Sequence, residues 1–126
     1  DVYKRQIYPS TAKVNFEYLE TPFCVVGHTH TPVIFRALEE EGATECETIT
    51  PVLGEPVKLG PEPLIVNPGS VGQPRDGDPR ASYVIFDSED LILEYRRVAY
   101  PVESTQAKMM EHDLPLRLAL RLGYGW

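Results

Sequence analysis

The stretch Phe23-Cys24-Val25-Val26-Gly27-His28-Thr29-His30-Thr31-Pro32 decides the reading of this chain. Its first four residues form a short continuous apolar run, the pattern of a strand buried on both faces. Gly27 lets the backbone turn sharply or approach a neighbour closely. Two histidines follow at once, and Thr31-Pro32 fixes the exit. Open α/β sheets place ligands at the carboxyl ends of their strands, where His28 and His30 emerge. Neutral imidazole is the commonest transition-metal ligand among side chains. In extended backbone, residues i and i+2 point the same way. A bent loop could instead aim the pair at two metal ions ~3.5–4 Å apart. Alone, a His-x-His pair is a weak signal, and the plain alternative is a surface loop.

Upstream, Pro9-Ser10 reads as a helix entry with Ser10 as N-cap. Ala12, Phe16 and Leu19 then share one apolar face, and Thr21-Pro22 ends the helix. Downstream, Val33 to Leu38 reads as a strand leaving the histidines, and Glu39-Glu40-Glu41-Gly42 as a solvated turn. Glu45 to Val52 and Pro56 to Leu59 read as a hairpin around Gly54-Glu55. Leu64 to Asn67 is a second short buried strand. Ser82 to Phe86 and Leu91 to Val98 form the clearest hairpin, joined by Asp87-Ser88-Glu89-Asp90. Ser104 begins a short helix, and Leu118 and Leu122 share a face after Pro115. His112, between Glu111 and Asp113 near a helix end, reads as a surface residue. There is no internal repeat, low-complexity tract or interdomain linker.

A second unusual stretch is Asn67-Pro68-Gly69-Ser70-Val71-Gly72-Gln73-Pro74-Arg75. Asn67 to Ser70 fits a type II turn, with Pro at i+1 and Gly at i+2. Backbone N–H groups around Gly69 and Gly72 could form an anion-binding nest. Asn67 and Ser70 add short polar side chains, and Arg75 offers a planar fork to a phosphate. The alternative, an ordered turn feeding a hairpin, stays open at this point. Both stretches start where an apolar strand ends, which places them on one rim of a sheet.

The chain has 126 residues, enough for one compact domain or a piece of a larger one. Its 42% hydrophobic and 25% charged residues are ordinary for a soluble globular protein. No apolar run approaches the ~20 residues needed to span a bilayer. Asp1 to Gln6 has no signal-peptide pattern, so a cytoplasmic address is the default expectation. The formal charge of −7 argues against a nucleic-acid surface, and Arg75 with Arg80 is too sparse to offset it. An anionic substrate would need a local counter-charge, such as metal ions. Cys24, inside an apolar run, and Cys46, between Glu45 and Glu47, read as reduced thiols rather than a disulfide framework.

At the histidine stretch and at Asn67 to Arg75, with Ala81-Ser82-Tyr83 after it, the chain resembles the calcineurin-like metallophosphoesterases. The likeness is to their small bacterial and archaeal phosphodiesterase and protein-phosphatase-like branch, and it runs from about Tyr8 onward. The resemblance implies an α/β fold: the C-terminal, strand-rich portion of a four-layer metallophosphoesterase sandwich. It implies two divalent metal ions (manganese, iron or zinc), with His28 on the second and His30 on the first. Gly27, Asn67, Gly69, Ser70 and Arg75 would line the substrate rim. The implied chemistry is hydrolysis of phosphomono- or phosphodiesters, in which the metals neutralise phosphate oxygens and lower the pKa of a bridging water. The implied substrate is a phosphorylated small molecule, a nucleotide or a phosphoprotein.

The departures are large. The family's earlier Asp-x-His, Gly-Asp and Gly-Asn-His/Cys motifs and its later lone His do not appear. Two imidazoles fall short of the usual three or four protein ligands. The expectation is therefore that residues 7–126 are the C-terminal part of one such domain and that 1–6 are a non-native leader. No catalytic residue is assignable, the chain alone is inactive, and an exposed sheet edge favours self-association. A competing reading is a non-catalytic module that uses a strand edge as a protein interface. A third, a structural zinc protein with ligands shared between chains, is disfavoured because the cysteines carry no zinc-ligand spacing.

Overall fold

The computed structural model describes residues 8–40 and 43–126. In chain order these form helix α1 (Pro9–Phe16) and strands β1 (Phe23–Val25), β2 (Val33–Glu40), β3 (Ala43–Ile49), β4 (Pro56–Lys58), β5 (Leu64–Asn67), β6 (Ala81–Asp87) and β7 (Ile92–Val98). Helices α2 (Val102–Glu111) and α3 (Leu116–Leu120) follow, and a 3-10 turn spans Arg121–Gly123.

The strands make two sheets. One has the order β1-β5-β2-β3, and the other the order β4-β7-β6. β1 lies parallel to β5, with Phe23 opposite Leu64 and Val25 opposite Val66. β2 runs antiparallel to β5, with Val33 opposite Asn67. β5 is buried at all four positions: the apolar run Leu64-Ile65-Val66 predicts the first three, and the polar Asn67 joins them. Its alternation shows why. Ile65 joins Phe35, Ala37 and Val26 against Ala12 and Phe16 of α1. Leu64 and Val66 face the other way, onto Leu93 and Tyr95 of β7. The result is an α/β stack in which α1 covers one sheet and the second sheet packs on its opposite face.

Several local expectations change. α1 starts at Pro9, with Tyr8 as an extended N-cap that makes no side-chain cap, so Ser10 is inside the helix. Proline suits the first helical position because its missing N–H has no partner there anyway. The helix stops at Phe16, before Thr21-Pro22, although Ala12 and Phe16 are buried and Leu19 packs beside them. β1 is not buried on both faces. It is an edge strand, and Val25 is 59% exposed. β2 absorbs Glu39 and Glu40, which the acidic run placed in a turn, while Glu41 and Gly42 lie outside the described residues.

The expected hairpin around Gly54-Glu55 does not form. β3 pairs with β2, and β4 pairs with β7. β2 is the nearer and more apolar partner for β3, whereas Val57 of β4 packs into the core shared with Leu93 and Tyr95. Gly54, at φ 76, lies between two strands of different sheets. The β6–β7 hairpin forms as read. Asp87 Oδ1 accepts the N–H groups of Glu89 and Asp90 to close its turn. α2 begins at Val102, two residues before Ser104, and Ala119 and Leu122 are the buried residues of the segment after Pro115. Cys24 and Cys46 are free thiols, and burial, then the Glu45 charge, push the Cys46 thiol up. Among the described residues, no helix is long and apolar enough to cross a membrane.

Candidate metal centre

The last rung of the β1–β5 pairing is Val26 N–H donating to Val66 O at 2.8 Å. Beyond it the chain leaves the sheet through Gly27. The left-handed backbone of the turn falls on the histidines. His28 has φ 80 and His30 φ 63, both left-handed, while a Cβ added at Gly27 would meet nothing within 4 Å. Gly27 itself has no positive φ, and no protein atom lies where its Cβ would be. Histidine is among the residues that tolerate left-handed backbone better than most, yet each such residue costs roughly 1–2 kcal/mol. Strain of this kind persists only where the surroundings impose it.

The surroundings here are the second stretch. Asn67 Nδ2 donates to Gly27 O at 3.3 Å and to Thr29 Oγ1 at 2.8 Å. Arg75 N–H donates to His30 O at 3.2 Å. His30 Nδ1 lies 2.8 Å from Gln73 O. A carbonyl only accepts, so in the neutral ring Nδ1 carries the proton and Nε2 the lone pair. That is how proteins orient an imidazole for metal binding. His28 is exposed and His30 half-buried.

The rim residues divide. Asn67 is fully buried, and its Oδ1 accepts Gly69 N–H at 2.9 Å. Ser70 Oγ accepts Gln73 N–H at 3.0 Å, and Ser70 O accepts Ser82 N–H at 2.9 Å. The N–H of Gly69 is therefore consumed inside the loop and is not open to an anion. Gly69 has φ 85 as a type II turn requires, and Gly72 is exposed in open space. Arg75 alone of the rim residues presents a charge to solvent. Its Nε and Nη2 rest on Gln73 Oε1 at 3.2 and 2.7 Å. His112 is the exposed C-cap of α2.

Residues 6–91 match the family model for the calcineurin-like phosphoesterase superfamily domain. The chain belongs to that superfamily. An uncharacterised protein from Methanocaldococcus jannaschii is 37% identical over 119 residues, covering 94% of this chain and 45% of that protein. The crystal structure of a metallophosphoesterase from Sphaerobacter thermophilus matches with a TM-score of 0.80 at 43% identity, over 91% of this chain and 47% of that one. A hypothetical protein from Pyrococcus horikoshii has a TM-score of 0.61 at 16% identity, over 96% and 39%, and shows the fold alone. The chain thus spans less than half the length of these relatives.

The phosphoesterase superfamily uses divalent metals, and the two imidazoles fit as ligands: they sit at a strand's carboxyl end, and one has its tautomer already set. Among the described residues, no group of three or more His, Cys, Asp or Glu side chains gathers to complete a centre.

Sequence reasoning missed Thr29, Gln73, Tyr95 and Arg97. Tyr95 donates its hydroxyl to Asn67 O at 2.9 Å, joining the second sheet to the loop. Gln73 holds His30 with a main-chain carbonyl, for which no residue type is a signal. The Arg97 side chain is only 4% exposed and ties down residues 76–80. It donates to the carbonyls of Asp78 and Arg80 at 3.0 and 2.9 Å and pairs with Asp76. With Tyr95, Thr31 and Pro32 these aspartates line a cleft of about 400 Å³ behind the histidine turn.

In that loop the Arg80 side chain holds the Asp78 carboxyl at about 2, down from 3.8. A depressed carboxylate stabilises the fold above its unfolded pKa and loses that contribution as pH falls through the folded one. Stability is therefore expected to fall as pH drops from 3.8 toward about 2, and Asp78→Asn to flatten that step. Thermal midpoints measured across the acid range check this, and an unaltered acid limb in the variant would count against it.

Proposed function

We propose that His28 and His30 are ligands of a dinuclear centre, of manganese, iron or zinc, in a phosphoesterase that hydrolyses phosphomono- or phosphodiesters. The observation that carries this reading is the His30 ring: its Nδ1–H is committed to Gln73 O, which leaves Nε2 as a free donor beside the exposed His28. The family pattern gives His28 to the second metal and His30 to the first. Metals bound there supply charge neutralisation of the phosphate and a water of lowered pKa. The chain's own residues do the rest of the positioning. Arg75, its fork pre-oriented by Gln73, meets a phosphate oxygen from the rim. The substrate is a phosphorylated small molecule, a nucleotide or a phosphoprotein, and the −7 chain depends on the metals and Arg75 for counter-charge. Two imidazoles are fewer than the three or four protein ligands a metal usually has, so turnover requires ligands beyond the described residues.

Calorimetric titration of Mn²⁺ and Zn²⁺ into the chain tests this, alongside a nitrophenyl phosphodiester assay. Weak binding is expected, lost in a variant carrying both His28→Asn and His30→Asn, with no turnover by the chain alone. Binding that survives the double substitution would overturn the ligand assignment. Robust turnover by the chain alone would overturn the need for further ligands.

A further inference from the structure

We infer that Asn67 is a positioning residue that holds the histidine turn in its ligand-presenting conformation, rather than a group that meets substrate. The purpose of the device rests on the metal reading of His28 and His30, while its geometry does not.

Asn67 closes β5 and is fully buried. A buried amide persists only where its polar atoms are paired, and this one is paired completely in its donors. Its orientation is not ambiguous. Gly27 O can only accept, so Nδ2 must face it, and Gly69 N–H can only donate, so Oδ1 must face that. With both Nδ2 hydrogens spent on Gly27 O and Thr29 Oγ1, no donor remains for a phosphate.

Those two acceptors lie on either side of His28, the residue at φ 80. The amide therefore brackets one left-handed residue, and the next, His30, is held by Gln73 O and Arg75 N–H a few residues further along the same loop. Only a carboxamide of this length places one acceptor and two donors in a plane. Aspartate would keep the Gly69 contact but set a carboxylate oxygen against the Gly27 carbonyl. Asn67 is itself fixed from behind, because its main-chain oxygen accepts the hydroxyl of buried Tyr95. The second sheet thus reaches the histidine turn through the Tyr95 and Asn67 side chains and three hydrogen bonds.

The test reads the imidazoles in metal-free protein, at alkaline pH, by long-range ¹H–¹⁵N correlation, with φ-sensitive backbone couplings for His28 and His30. The unsubstituted chain is expected to show His30 as one Nδ1-protonated tautomer. Asn67→Asp and Thr29→Val are expected to average the His30 tautomers and move the His28 coupling, and Thr29→Ser to restore both. Zn²⁺ affinity is expected to fall roughly 10- to 100-fold in Asn67→Asp, the usual effect of losing an outer-shell partner. Ring signals and couplings unchanged in both Asn67→Asp and Thr29→Val would overturn the inference. Should Asn67→Asp not fold, the Thr29→Val and Thr29→Ser pair decides. If the unsubstituted chain binds no Zn²⁺, the metal reading falls while the ring readout still decides the role of Asn67.

Discussion

Gly69→Ala is expected to destabilise the fold by several kcal/mol and to weaken the Zn²⁺ binding proposed for His28 and His30, which it does not touch. Its backbone, at φ 85, charges any L side chain about 1–2 kcal/mol. An added Cβ would also lie 2.7 Å from Ser82 Oγ, 2.9 Å from Ser82 Cβ and 2.9 Å from Pro32 Cγ. Overpacking of that kind costs typically 1–3 kcal/mol more. Ser82 has little freedom to yield, since it is buried and its Oγ donates to Pro68 O at 2.7 Å while its N–H holds Ser70 O. The displacement therefore passes to Pro32, the exit of the histidine turn. Gly72→Ala is the control: its φ is not positive and a Cβ there meets nothing within 4 Å. Urea denaturation and Zn²⁺ titration of the two variants check this. Equal midpoints would refute the steric account.

Tyr95→Ala is expected to cost about 3–5 kcal/mol, as for other large aromatic truncations in a core. Tyr95 is fully buried and packs with Ile34, Leu59, Leu64, Val66 and Leu93, where the two sheets meet. Tyr95→Phe keeps the ring and removes only the hydroxyl that serves Asn67 O, so it is expected to cost about 1 kcal/mol. Burial pushes the Tyr95 phenol well above its ordinary range, so it remains a donor at any pH at which the fold is studied. The gap between the variants separates packing from the hydroxyl's hold on the loop, read as urea midpoints at constant slope. A Phe variant as damaged as the Ala variant would contradict this division.

What could be read in advance followed from local pattern. Leu64 to Asn67 announces a buried strand because three consecutive apolar residues, Leu64 to Val66, avoid water on both faces, and the structure buries these and Asn67 as well. The β6–β7 hairpin is legible because strand, Asp-rich turn and strand follow one another directly. The histidine turn and the Asn67-to-Arg75 stretch, taken together, were enough to point to the superfamily. Pairing beyond neighbours was not legible. β4 has only three residues and β3 alternates weakly, and the sheet that β4 joins depends on Val57 finding the core around Leu93 and Tyr95. Nor was the division of labour around the histidines. Left-handed backbone on His28 and His30, rather than on Gly27, comes from hydrogen bonds with residues some forty positions away. The tautomer of His30 is set by a peptide carbonyl, and every residue has one.

Those same bonds carry a consequence for the order in which the molecule assembles. The links from Asn67 to Gly27 and Thr29 span 40 and 38 residues, and that from Gln73 to His30 spans 43. Hairpins β2–β3 and β6–β7 join adjacent segments and can zip early, whereas the parallel pairing of β1 with β5 must first close a long loop. The histidine turn is thus a product of folding and not its seed. Under the metal reading proposed above, a cation would meet the two imidazoles as a positioned pair only once β1 and β5 have joined.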